Sequence, residues 1–174
     1  MQKETHIVIG VFSLLCMIIV GFLFKNQYKK FTRYGYLGIF LFCLISNISI
    51  FFPGVALVSV LGGRLYNPWI VGMLAALGCI VGEILAYNIG AAGGAMIKGS
   101  NTYQVVENYM EKNGFLTIFF VTIIPNPVFN VVAGVAGSIE YPFYKFLIAT
   151  FGGNWIQYSV LAYLSSLTKN LWKL

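Results

Sequence analysis

Twice in this chain a proline interrupts a long apolar stretch, at Pro53-Gly54 and at Pro125-Asn126-Pro127. Proline lacks a backbone donor and its ring collides with the carbonyl one turn back, so no helix runs smoothly through either place. The second break lies in Phe119-Phe120-Val121-Thr122-Ile123-Ile124-Pro125-Asn126-Pro127-Val128-Phe129-Asn130, a run too apolar for a solvated loop. Composition says what surrounds it. Of 174 residues, 59% are hydrophobic and 9% charged, against about 25% charged in soluble domains. The chain therefore reads as an all-α integral membrane protein. At membrane depth, irregular backbone is tolerated only where protein buries it or a polar cavity adjoins it, so both breaks are candidate parts of a site.

The spans follow from length. Ile7 to Phe24 is an uncharged run of 18 residues, about 27 Å as a helix and just enough to cross the hydrocarbon. It ends in Lys25-Asn26-Gln27-Tyr28-Lys29-Lys30 with no small-residue cleavage pattern, which favours a retained span over a signal peptide. Residues 1–35 are thus a first span with a basic linker, and 36–168 a domain with a short tail, 169–174, after it. Within that domain the stretch 36–66 is broken at Pro53 and Gly54 into arms too short to span, so a re-entrant hairpin is expected. A full span covers 67–92, with Asn67 as cap and Pro68 in the first turn. In 101–113, Tyr103, Val106 and Met110 recur at helical spacing and Glu107 and Glu111 fall elsewhere, as in an amphipathic helix on the membrane surface. A second hairpin, 114–140, and a last span, 142–165, complete the pattern. The expected fold is about three full spans, two re-entrant hairpins and one interfacial helix.

The halves match. Pro53 to Pro68 is 15 residues and so is Pro127 to Pro142, and 15 residues beyond each span-opening proline lie Glu83 and Gln157. Charge supplies an independent test. With Lys25 to Arg33 cytoplasmic, that side holds Lys25, Lys29, Lys30, Arg33, Arg64, Lys169 and Lys173 without an acid. The other side mixes Lys3, Lys98, Lys112 and Lys145 with Glu4, Glu107, Glu111 and Glu140. The positive-inside rule then puts the N-terminus outside and the C-terminus in the cytoplasm, in the cell membrane, with the hairpins entering from opposite faces. Inverted repeats with broken helices are a transporter architecture.

Few residues could carry chemistry. Glu83 is the one acid inside an expected span, costly there unless it meets a polar cavity or partner. Cys79, Tyr87 and Gly90 share its helical face. Asn126 and Asn130 flank the second break, where they can cap the following half-helix or receive an anionic headgroup at its positive end. Asn47 is their weaker counterpart before Pro53. Cys16, Cys43 and Cys79 lack metal or disulfide spacing, and His6 lacks a partner in sequence. There is no serine elbow, metal cluster or phosphate-cradling loop, so neither enzyme chemistry nor a cofactor or metal is expected. The net charge of +6 suits orientation and anionic lipid rather than nucleic acid.

These residues resemble a known family. Gly82-Glu83-x-x-x-Tyr87-x-x-Gly90, Asn113-Gly114-Phe115, the Pro125 to Asn130 run, Ala133-Gly134-x-x-x-Ser138 and Pro142-Phe143 are similar to the DedA/VTT-domain (SNARE-associated) superfamily. The Pro-Asn-Pro run most resembles the branch containing vacuole membrane protein 1. The resemblance implies two facing re-entrant hairpins and a link to lipid scrambling or polyprenyl-phosphate recycling. Its proton-coupled bacterial members carry an acid after the first Pro-Gly and arginines around the second break, where this chain has Val55, Thr122 and Val128. The expected function is passive translocation of phospholipid or polyprenyl-phosphate headgroups without ATP. The path would be a groove of Asn47, Pro53, Gly54, Glu83, Tyr87, Pro125, Asn126, Pro127, Asn130 and Gln157. Proton-coupled transport through Glu83 and a non-transporting membrane organiser are the alternatives, and self-association is left open.

Overall fold

A computed structural model of the chain describes residues 28–46, 54–93, 101–124 and 129–167, all helical apart from short turns. The helices are α1 (Tyr28–Ser46), α2 (Gly54–Leu65), α3 (Pro68–Gly93), α4 (Asn101–Ile123), α5 (Phe129–Ser138) and α6 (Phe143–Leu167). The expected first span, the tail, and Asn47, Pro53, Pro125, Asn126 and Pro127 lie outside the described residues. α3 is the one helix among the described residues that is both long and apolar enough to cross a membrane. α6 has similar length, 25 residues, but Asn154, Gln157, Ser159, Ser165 and Ser166 make it more polar.

Local chemistry sets the ends of these helices. The Asn67 side chain accepts from the backbone N–H of Trp69 at 3.0 Å, with Pro68 in the first turn, as the sequence leads one to expect. Asn67→Ala should lower stability by about 1 kcal/mol, read as a lower melting temperature of the purified protein. α5 ends where Glu140 enters the left-handed region at φ 54°, which lets the Tyr141 N–H reach the Ala136 carbonyl at 2.8 Å. α1 bends at Gly35, where φ is 52°.

The segment after residue 101 breaks at Asn113, where the first helical stretch was expected to end. α4 is two helical stretches joined across a kink at that residue (φ −158°, ψ 76°), and the Thr117 hydroxyl donates to the carbonyls of Asn113 and Tyr109. Its apolar face of Tyr103, Val106 and Met110 is buried against Val132, Val135, Ala136 and Phe146. That face is therefore spent on the protein's own core.

The six helices form two sets of three that pack alike. Shifted by 74 residues, the separation of Pro53 from Pro127, the bounds of α1, α2 and α3 fall within three residues of those of α4, α5 and α6. α3 and α6 form the central pair. Each short helix then crosses to the other set's long helix, α5 onto α3 and α2 onto α6, while α1 lies on α3 and α4 on α6. The crossing depends on glycine at equivalent places. A Cβ on Gly63 would run into the Ala162 carbonyl, and one on Gly137 into the Tyr87 carbonyl. Such backbone contact is how helices associate in lipid, where tail-to-tail hydrophobicity gives no drive.

α3 and α6 are antiparallel. Gly72 abuts Ser159, Glu83 meets Asn154, and Tyr87 packs on Phe146 and Phe143, so partner numbers fall as residue numbers rise. Because equivalent helices oppose each other, the two sets are inverted relative to one another. Two apolar clusters occupy the two ends of this pair. One joins α1, α2, Val71, Ala75, Cys79 and Ala162. The other joins α4, α5, Phe146 and Ala149.

Candidate functional site

Between those clusters the α3/α6 interface turns polar. Glu83 is the sixteenth of 26 residues in α3, about 22 Å from its start and 15 Å from its end at 1.5 Å per residue. Asn154, near the middle of α6, donates from Nδ2 to Glu83 Oε1 at 2.6 Å, and both side chains are buried. One turn along, the Cys79 thiol donates to the Tyr158 hydroxyl at 3.5 Å. A step of four up α3 is thus matched by a step of four down α6: Cys79 with Tyr158 and Glu83 with Asn154.

Three buried side-chain oxygens on these two helices have no hydrogen-bond partner among the described residues: Glu83 Oε2 on α3, and Thr150 Oγ1 and Ser159 Oγ on α6. An amide donating to one carboxyl oxygen leaves the other unmet. The arrangement can hold and orient a carboxyl group deep in the protein while leaving one of its oxygens for a further donor or cation. No three His, Cys, Asp or Glu side chains come together as a metal cluster among the described residues.

The match of this chain to known proteins covers the same helices. A model of the VTT domain matches residues 52–167. The chain belongs to the VTT-domain family. An uncharacterised protein of Methanocaldococcus jannaschii is 28% identical over 146 residues, covering 80% of this chain and 89% of the archaeal one. No solved structure matches. Neither match favours the vacuole membrane protein 1 branch. The VTT domain is membrane-associated, which agrees with the composition and with α3.

The described residues of this VTT domain gather only part of the expected site. Glu83 is at its centre, but Gln157, its counterpart by spacing from the prolines, is half-buried while Asn154 makes the contact. Counting from the prolines aligns equivalent residues of the two halves. An antiparallel pair instead brings together residues that are not equivalent, and the equivalence therefore points one turn away from the partner. Tyr87 donates to the Tyr141 carbonyl at 2.6 Å and packs on Phe143 and Phe146, so its hydroxyl is already engaged. Gly54 opens α2 and is buried. Asn130 is exposed on the first turn of α5. Asn154 and Tyr158 were legible as polar residues at fourfold spacing on the last span, matching Glu83 and Cys79.

Proposed function

We propose that this VTT-domain protein moves lipid headgroups across the bilayer passively, without ATP and without breaking covalent bonds. The observation that carries the reading is a polar seam, buried between two inverted sets of helices, in a chain that is otherwise apolar. Moving a headgroup through hydrocarbon is slow because each unsatisfied polar group costs several kcal/mol there. A path that offers hydrogen-bonding groups at mid-depth lowers that barrier. On this reading α3 and α6 both span, the two hairpins are re-entrant and enter from opposite faces, and phospholipid or polyprenyl phosphate is the partner. The Pro-Asn-Pro run, with Asn126 and Asn130, would line the mouth of the path.

Reconstitution tests the reading directly. Liposomes holding the purified protein and an acyl-labelled fluorescent phospholipid should lose inner-leaflet as well as outer-leaflet signal to an impermeant reductant. Protein-free liposomes lose only the outer leaflet. Equal losses from both, with insertion of the protein verified, would reject translocation and leave a membrane-organising role. The buried acid favours one other reading, proton-coupled transport of a phosphorylated lipid or small solute through Glu83. That reading requires transport to follow an imposed pH gradient and to stop in Glu83→Gln, whereas passive translocation runs without the gradient.

A further inference from the structure

Basic residues from separate parts of the chain meet at one end of the bundle. Arg64, in the last turn of α2, is half-buried and donates from Nε to Ser165 Oγ on α6 at 3.1 Å, while the Ser165 hydroxyl donates to the Val60 carbonyl at 2.6 Å. Two residues on, the Tyr66 ring lies against that of Tyr36, with centroids 4.9 Å apart. That contact brings the start of α1 to the same place. Tyr36 follows the bend at Gly35, and before the bend residues 28–34 hold Lys29, Lys30 and Arg33. There Tyr28, Phe31 and Tyr34 recur every three residues and the three bases fall between them, the spacing of a short helix with an aromatic and a basic side.

The helices that form this end bring no acid to it: α1, α2 and α6 contain none, and the single acid of α3, Glu83, lies deep along it. The opposite end is mixed, with Lys112 and Lys145 accompanied by Glu107, Glu111 and Glu140. Aromatic side chains flank the positive end. Tyr36 is 37% exposed and Trp69, at the start of α3, 60%, as befits residues at headgroup level. From Tyr36 an apolar track leads along α1, where Leu37, Leu41 and Ile45 are exposed at fourfold spacing. Charges that serve only to orient a chain work from anywhere in a flanking loop. Here one is built into the packed end of α2, and a ring contact carries the others to it.

We propose that this end of the protein binds an anionic phospholipid of the adjoining leaflet, its headgroup seated between Arg64 and the basic first turns of α1. Four bases beside an apolar surface are enough to draw acidic lipid. The guanidinium of Arg64 presents N–H groups in a plane that matches phosphate oxygens, and the Leu37 to Ile45 track gives an acyl chain a surface that a soluble phosphate would not use. The lipid is a resident of the rim, not cargo, so the proposal goes beyond the translocation reading and does not depend on it. Bound there, it joins α1 to α2.

The test uses the full chain, purified in mild detergent and freed of lipid. Phosphatidylglycerol and phosphatidylcholine with identical acyl chains are added separately, and bound lipid is counted by native mass spectrometry with the melting temperature read in parallel. Phosphatidylglycerol should bind about tenfold more tightly, the effect of one charge-assisted hydrogen bond, and should raise the melting temperature more than phosphatidylcholine does. Lys29→Gln, Lys30→Gln and Arg33→Gln together should bring the two lipids close together. Arg64→Gln should weaken phosphatidylglycerol about fivefold, as expected for one base near an anionic surface, and Arg64→Lys should retain most of the binding. Lys112→Gln with Lys145→Gln, at the opposite end, should bind like the wild type. Equal binding of the two lipids by the wild type would overturn the proposal, as would an unchanged preference in the triple variant or an equal loss in the opposite-end control. Displacement of the lipid by an equal concentration of glycerol phosphate would assign the site to a soluble phosphate and overturn it too. If Arg64→Gln fails to fold, the triple variant decides, since it leaves the Ser165 contact untouched. Binding is read without transport, so a protein that moves no lipid can still hold this one, and failure of the site leaves translocation standing.

Discussion

Gly137→Leu should leave no folded domain to purify, and Gly63→Leu should behave in the same way at the equivalent place. The Gly137 Cβ position is occupied by the Tyr87 carbonyl, and that of Gly63 by the Ala162 carbonyl. Overpacking a core with side chains that can shift costs about 1–3 kcal/mol. Here the obstacle is helical backbone, which cannot rotate aside, so α5 must back away from α3. Val132, Ala133, Val135 and Ala136, all fully buried, would lose their contacts together. Net stabilities are about 5–15 kcal/mol, and loss of one helix contact on this scale consumes most of that. Size-exclusion profiles and melting curves in mild detergent give the answer. Gly93→Ala is the control, because nothing lies within 4 Å of its Cβ position; it should melt like the wild type or slightly above it. A Gly137→Leu protein that is monodisperse and melts normally would mean that the helices do not approach this closely.

The sequence carried the division into helices well, because prolines and caps are local signals. α3 was expected over 67–92 and is found as Pro68–Gly93, with the Asn67 cap in place. The equal proline spacings carried the twofold repeat, and the bounds of α1 to α6 follow it. The charge of Glu83 marked the centre of the candidate site. Its partner was harder to read, because contact between two helices depends on their relative direction and rotation, and neither is a local property. Once α3 and α6 are known to oppose each other, the fourfold spacing of Asn154 and Tyr158 pairs off against Glu83 and Cys79. The face of Tyr103, Val106 and Met110 was ambiguous for a related reason. An apolar stripe looks the same whether lipid or protein covers it, and in this fold α5 and α6 cover it.

Asn154→Leu should destabilise the protein more than the joint replacement of both partners, Glu83→Leu with Asn154→Leu. The single change leaves a buried carboxyl with neither oxygen bonded among the described residues, since Oε2 has no partner there and Oε1 would lose the Asn154 amide. Stranding such a group costs about 1–3 kcal/mol, while replacing both members with apolar groups is often close to neutral. Two effects set the size of the coupling. Hydrogen bonds between membrane helices average about 0.6 kcal/mol and reach about 1.7 kcal/mol, because the dissociated helices find other partners. A carboxyl in an apolar helix such as α3 has few of those, which places this pair at the upper end, near 1.7 kcal/mol. A double-mutant cycle on melting or denaturant stability measures it, with Glu83→Gln as a fourth arm that keeps an acceptor for Asn154. If the two single changes simply add, the 2.6 Å contact contributes nothing to stability. Its value would then lie in how it holds the free oxygen of Glu83. If they couple as expected, the same bond that orients the carboxyl also fastens the two inverted halves together. Any parting of α3 from α6 must then break it.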